Sequence, residues 1–251
     1  MPDLPPLELF SIVIPARDEA GCITAMLRSV HAALAGKGIS HELIVVDDGS
    51  RDGTWEVLQG LRSEIPELRP VANSAPHGFG HAVRCGLQHF SGDAVAIMMA
   101  DESDRPADLL RYWEILQAGT DCVFGSRFTQ GGAAHDYPPL KLILNRVANK
   151  AIQALFSSRL DDTTNAFKAY RKEVIQACQP LESPHFELTV ELPLKAMTHG
   201  FTWAMPPIEW HNRQTGVSKL HLREMGSRYL RCVWRLWRVH HGSHAPLTTL
   251  V

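Results

Sequence analysis

Four polar clusters in this chain each follow a short apolar run, and their residue types suggest phosphate and cation chemistry. Asp101 comes directly after AVAIMMA (94–100), with Ser103 and Asp104 close behind in DESDRP. Mg²⁺ or Mn²⁺ is usually held by one or two carboxylates, substrate phosphate oxygens and water, and Asp101 and Asp104 can both face such a cation. The structural alternative is that Ser103 or Asp104 caps a helix entered at Pro106. In IVVDDGSRDGT, Asp47 and Asp48 adjoin at a strand end, where two like charges repel. A carboxylate there can accept a hydrogen bond from a base N–H or a ribose hydroxyl, while Asp52 suits a helix cap. Arg127 in GSR is a fixed cation, and HNRQTGVSKL adds Arg213 and Lys219 beside a glycine. Arg suits bidentate phosphate contact and Lys acts as a point charge. In IPARDE, Pro15 ends a strand and Glu19 falls where it favours a helix dipole.

The elements that must position these residues alternate. Strands are predicted at 10–15, 42–47, 68–72, 94–100 and 121–125. Helices are predicted at 18–35, 54–64, 78–90 and 106–117. That alternation predicts an α/β fold, a mostly parallel sheet flanked by helices, with its ligand site at the carboxyl ends of the strands. The second half reads as a helix over 138–157, a strand over 164–170, a helix over 187–199 and a strand over 203–210.

Composition narrows the function. The chain has 251 residues, 45% hydrophobic and 21% charged, with net charge −2, which gives no whole-chain sign of nucleic-acid binding. Five scattered cysteines without a C-x-x-C pair argue for a reducing compartment and against a disulfide frame or structural zinc. No G-x-G-x-x-G follows the first strand, which argues against a dinucleotide enzyme. The acidic, Pro-rich start is unlike a secretory signal, and no apolar run reaches a membrane-spanning length. A cytoplasmic protein, peripheral on the inner face of a membrane, is the expectation.

The segment LREMGSRYLRCVWRLWRVHH carries the membrane part of that expectation. At helical spacing, Leu222, Met225, Tyr229, Val233, Leu236 and Trp237 share one face, with Arg228, Arg231, Arg235 and Arg238 opposite. Such a helix, over about residues 222–240, suits a membrane interface; packing on the domain is the alternative. Residues 1–220 are expected to form the catalytic domain and 221–251 a basic amphipathic helix and tail.

The order IPARDE, VVDDGSRDGT, GFGHAV, MMADESDRP, GSRF, FKAYRKEV and R-x-x-G-V-S-K-L resembles family 2 glycosyltransferases with the GT-A fold, in particular the polyprenyl- and dolichol-phosphate sugar synthases. The likeness runs from about Phe10 to about Leu220. It implies that Pro15, Arg17 and Glu19 contact the nucleotide, that Val46 and Asp48 hold the base with Asp47 beside them, and that Ala100 and Asp101 approach the diphosphate. It implies Asp101 as metal ligand with Ser103 near the metal, Arg127 and Lys219 on phosphates with Arg213 assisting, and Arg146 on the acceptor phosphate. Met99 departs from the pattern, because the family's D-x-D places a carboxylate there.

The implied reaction passes a sugar from a nucleoside-diphosphate sugar to a polyprenyl phosphate, with inversion and with Mg²⁺ or Mn²⁺. Leaving-group charge is neutralised by the cation, Arg127 or Lys219. A lipid phosphate is already an anion and needs positioning, not a general base. A soluble hydroxyl acceptor needs one, for which Asp104 and Glu187 are the candidates. A third reading is a nucleotide-sugar binding module made inert by loss of the first D-x-D acid.

Overall fold

The computed structural model describes residues 6–212 and 222–243, with side chains of the last helix from 226 to 241. Among the described residues seven strands form one sheet in the order β3-β2-β1-β4-β7-β5-β8. They are β1 (Phe10–Ala16), β2 (His41–Asp47), β3 (Leu68–Ala72), β4 (Ala94–Ile97), β5 (Cys122–Phe124), β7 (Lys168–Arg171) and β8 (Trp203–Ala204). All pairings are parallel except those of β7, which runs antiparallel to both β4 and β5. Every residue of β1 and β2 is buried, as expected of strands covered on both faces.

Helices close the two faces. α1 (Ile23–Ala35), α2 (Thr54–Leu61) and α4 (Pro106–Gln117) pack Leu27, Leu58, Leu109 and Trp113 against Phe10, Ile12 and Ile14. The other face takes α3 (Phe79–His89), α5 (Pro139–Phe156), α6 (Lys172–Ala177), α7 (Leu188–Thr198) and α8 (Leu222–Ser243). Burial of each large apolar side chain contributes about 1.5–3 kcal/mol. α3 lies close to the sheet because Gly86 has no Cβ; one there would stand 2.4 Å from Val13 Cγ1.

The expected α/β order is present, with three differences. Residues 203–210 do not form one strand: the consecutive prolines 206 and 207 cannot donate to a ladder. The run divides into β8 in the main sheet and β9 (Glu209–His211), which pairs in parallel with β6 (Ala133–His135). Neither the three-residue β6 nor the six-residue α6 was expected.

The third difference concerns α8. The face expected to meet a membrane turns inward. Val233 and Leu236 are buried with Cys232 in the core beneath α7, Trp237 packs against that core, and the Tyr229 hydroxyl donates to the Phe186 carbonyl at 3.1 Å. Packing on the domain is what buries this stripe. Leu222 and Met225 lie outside the described side chains. Among the described residues no helix is long and apolar enough to cross a membrane.

Candidate active site

The carboxyl ends of β1, β2 and β4 meet at one edge. Pro15 and Ala16 stand in register with Val46 and Asp47, and Met98 N–H donates to the Val13 carbonyl. Pro15, Val46 and Ala100 are buried, and Val46 belongs to the core, so a ligand reaches it through its backbone at most. Asp48 is engaged by the protein. Its carboxylate accepts from Asn73 Nδ2 at 2.7 Å and Gly78 N–H at 2.8 Å, with His77 Nδ1 at 3.1 Å and Arg17 Nη1 at 3.9 Å. It fixes the entry to α3. Asp47 is different: Oδ2 accepts from Ser50 N–H at 3.4 Å, while Oδ1 is buried without a partner. Among the described residues Asp47 Oδ1 is thus a buried acceptor without a partner, beside the Asp48 carboxylate. Gly49, at φ +74°, lets the chain turn directly after the pair.

Glu19 organises the start of α1. Its N–H donates to Thr54 Oγ1 at 2.9 Å, its carbonyl accepts from Cys22 and Ile23, and Cys22 Sγ lies 3.3 Å from its carboxylate. Burial first, and then that carboxylate, push the Cys22 thiol up to about 12. Asp52 accepts from Thr54 N–H at 3.0 Å.

Beyond β4, Ser103 N–H donates to Asp101 Oδ1 at 3.3 Å, and the intervening Glu102 takes a left-handed φ of +59°. Ser103 Oγ is buried and has no partner. An orphaned hydroxyl beside a strand-end carboxylate is a hard oxygen donor set, and it fits Mg²⁺ or Mn²⁺. Asp104 does not fit that role. It is 4% exposed, pairs in an antiparallel bridge with Trp210, and accepts from Met99 N–H at 3.1 Å. Burial first, and then the Asp101 charge, push its carboxyl up to about 7. Neither Ser103 nor Asp104 caps α4. The N-cap is Arg105, without a side-chain cap, because residue 104 is drawn into the bridge.

Under this edge lies a charged interior. Arg127 is 7% exposed and closes on Asp162, with Nε and Nη2 each 2.7 Å from a carboxylate oxygen. Phe128, Tyr137 and Trp210 surround its guanidinium at 5.3–5.7 Å. Two of its five donors are thus committed to Asp162. Lys168 is buried beside it. Its Nζ donates to the Thr163, Asn165 and Thr189 carbonyls. Burial pushes the ammonium down to about 7, although three carbonyl acceptors favour the charged form. The sequence assigns no role to Asp162 or Lys168: Asp162 is 35 residues from its partner, and Lys168 stands in a strand and in FKAYRKEV without a role of its own.

Arg146 lies on α5, partly exposed, 4.3 Å over the Phe128 ring and donating to the Asp161 carbonyl at 3.2 Å. Glu187 is buried, with Oε2 unpartnered and its carboxyl raised by desolvation. Arg213 and Lys219 lie outside the described residues. Together the edge offers an acceptor at Asp47, a cation seat at Asp101 and Ser103, and a guanidinium at Arg17, chemistry suited to a nucleotide and its phosphates.

The sequence matches the family described as Glycosyl transferase family 2 over residues 11–178. Polyprenol monophosphomannose synthase of Mycolicibacterium smegmatis is 29% identical over 221 residues, 86% of this chain and 82% of that one. Dolichol-phosphate mannosyltransferase of Pyrococcus furiosus is 28% identical over 230 residues, covering 91% of this chain but 63% of the relative. Glucosyl-3-phosphoglycerate synthase from Mycobacterium tuberculosis, solved with Mg²⁺ and uridine diphosphate, superposes with a TM-score of 0.67 at 20% identity, over 94% of this chain and 80% of that one. Its complex with Mn²⁺, uridine diphosphate and phosphoglyceric acid gives 0.68 at 18%, over 92% of this chain and 78% of that one. At such identity these two establish the fold.

Proposed function

The chain belongs to glycosyl transferase family 2, a glycosyltransferase acting on nucleotide sugars and not an inert binding module, and from that premise we propose that it transfers a hexose to a polyprenyl phosphate at a membrane surface. The observation that carries the lipid acceptor is the placement of exposed apolar side chains. Among the described residues, every exposed large hydrophobic lies on α5 or α8. Leu140, Ile143, Leu144 and Val147 of α5, 48% to 65% exposed, fall at i, i+3, i+4 and i+7 on one helix face. α5 also carries Lys141, Arg146 and Lys150 and no acid, while α8 exposes Leu230 and Trp234 among its arginines. Apolar side chains interleaved with cations suit the interface of an anionic bilayer. The membrane contact thus moves from the expected face of α8 to α5 and the outer side of α8. The protein would be peripheral, with residues 1–220 as catalytic unit and 221–251 as appendage.

In this reading Asp47 accepts from the base or ribose, with Asp48 holding the surrounding loop. Arg17 flanks the diphosphate, and Arg213 and Lys219 contribute further cations. Asp101 and Ser103 hold Mg²⁺ or Mn²⁺, which when bound offsets the charge developing on the leaving diphosphate. Arg127 acts as a positioning residue. Arg146 receives the acceptor phosphate. One phosphate oxygen forms its bond to the anomeric carbon as the bond to the diphosphate breaks, inverting that centre. The nucleophile is already anionic, so no side chain need take a proton.

The test is product analysis with a panel of nucleotide sugars, with polyprenyl phosphate present or absent. Sugar on the lipid phosphate is expected. Transfer only to a soluble hydroxyl or to a phosphorylated small acid would replace the reading, and Glu187 would then be the first candidate base.

A further inference from the structure

We propose that His31, His41 and Glu67 form a second cation site, for a transition-metal ion of the Zn²⁺ class, at the opposite edge of the sheet from the active site. His41 opens β2, whose far end carries Asp47; Glu67 immediately precedes β3; His31 comes from α1. The inference does not depend on which sugar or acceptor the enzyme uses.

The geometry is that of ligands with one gap between them. His31 Nδ1 stands 3.1 Å from His41 Nε2 and 3.4 Å from Glu67 Oε2, and all three ligand atoms lie within 4.8 Å of one another. A tetrahedral Zn²⁺ with bonds of 2.0–2.1 Å separates its ligand atoms by roughly 3.3–3.4 Å. Two of the three edges are already close to that value.

The hydrogen-bond chemistry points the same way. His41 Nδ1 lies 2.8 Å from the Ile39 carbonyl. A carbonyl only accepts, so Nδ1 carries the proton, and in the neutral ring Nε2 presents its lone pair to His31. A backbone acceptor on the remote nitrogen is the device that orients metal-binding imidazoles. Glu67 Oε2 is buried without a hydrogen-bond donor aligned on it, although the backbone around it is fixed by Leu43 N–H donating to the Glu67 carbonyl at 3.0 Å. Two acceptors, His41 Nε2 and Glu67 Oε2, therefore converge on a third nitrogen that can offer one proton at most. A divalent ion satisfies all three lone pairs at once.

Ligand types select the ion. Two imidazoles and one carboxylate favour Zn²⁺ and its neighbours over Mg²⁺ or Ca²⁺, which prefer all-oxygen shells. A fourth position remains for water. An open cleft of about 380 Å³, lined by Leu9, Ala35, Ile39 and Glu67 among others, reaches the site from solvent. Bound metal would tie α1 to the starts of β2 and β3.

A second histidine group, His135, Glu209 and His211, does not share these features. Its two rings are stacked at 4.4 Å and 13°, which directs their lone pairs along parallel planes, and Glu209 is paired with Arg105.

The test measures Zn²⁺ binding to the full chain by calorimetry, and Co²⁺ binding by its visible absorption. It compares wild type, His31→Gln, Glu67→Gln, the control Asp101→Asn, and the double control His135→Gln/His211→Gln. His31 and Glu67 are partly exposed, so both variants should fold, which circular dichroism confirms. Each should weaken Zn²⁺ by at least about 10-fold and lose the tetrahedral Co²⁺ bands, with both controls retaining them. Zn²⁺ affinity unchanged in His31→Gln and Glu67→Gln, or binding that disappears only in a control, overturns the proposal. Donor binding, measured separately, reports on the active site alone.

Discussion

Arg127 and Asp162, 35 residues apart in sequence, form a bidentate pair with two contacts of 2.7 Å, sealed from solvent by Phe128, Tyr137 and Trp210. Such a pair repays its desolvation through geometry, and losing one partner strands the other charge. Asp162→Asn should therefore cost about 3–5 kcal/mol of stability in urea unfolding. A loss below about 1 kcal/mol would return Arg127 to the role of a phosphate ligand held only loosely by Asp162.

Asp101 is tested through the reaction itself, since its carboxylate is proposed to meet the cation. Asp101→Asn should lower kcat by about 100-fold or more in a steady-state transfer assay. Met99 stands where the family pattern has an acid, and it is only partly buried beside the wholly buried Met98. Met99→Asp should lower the Mn²⁺ concentration needed for half-maximal transfer. An unchanged Mn²⁺ titration would show that position 99 does not face the cation.

Lys168 gives a pH signature. Burial lowers its pKa from 10.5 to about 7, so the unfolded chain binds one more proton than the folded chain between these values. Stability contributed by this group is present above the unfolded pKa and lost as the pH falls through about 7. In Lys168→Met that dependence disappears. Wild-type stability minus variant stability should fall as the pH is lowered from about 10 to about 7. A constant difference across that window would mean that the three carbonyls keep the ammonium charged throughout.

The parts of this protein legible in its sequence are those set by local pattern. Leu27, Val30 and Leu34 mark α1 by spacing, and the apolar runs ending at Asp47 and Asp101 locate the ligand edge, because polar residues at a buried strand's end have few other uses. The rest depends on which distant residues meet. Nothing in the sequence tells that Asn73 and Gly78 donate to Asp48 while Asp47 Oδ1 has no partner among the described residues. Asp104 reads as a cap or a ligand until Trp210 bridges it. His31, His41 and Glu67 come from three elements with no shared motif. α8 has apolar residues on more than one side, and helical periodicity alone does not say which side α7 covers.

That ambiguity yields the last prediction. Ile143 and Val147 are exposed on α5, whereas Val233 of α8 is buried in the core. A charge placed on an exposed helix position usually changes stability by no more than about 0.5 kcal/mol. If α5 lies in the bilayer interface, Ile143→Glu/Val147→Glu loses apolar insertion and meets anionic headgroups with negative charge. It should release the protein from phosphatidylglycerol-containing vesicles in a sedimentation assay, with donor binding and melting temperature retained. Val233→Glu should instead lower the melting temperature sharply, because it buries an unpaired carboxylate. Vesicle binding that survives the α5 double variant at full strength would place the membrane contact elsewhere. Vesicle binding lost only in Val233→Glu, together with its fold, would report on the core and not on a membrane contact.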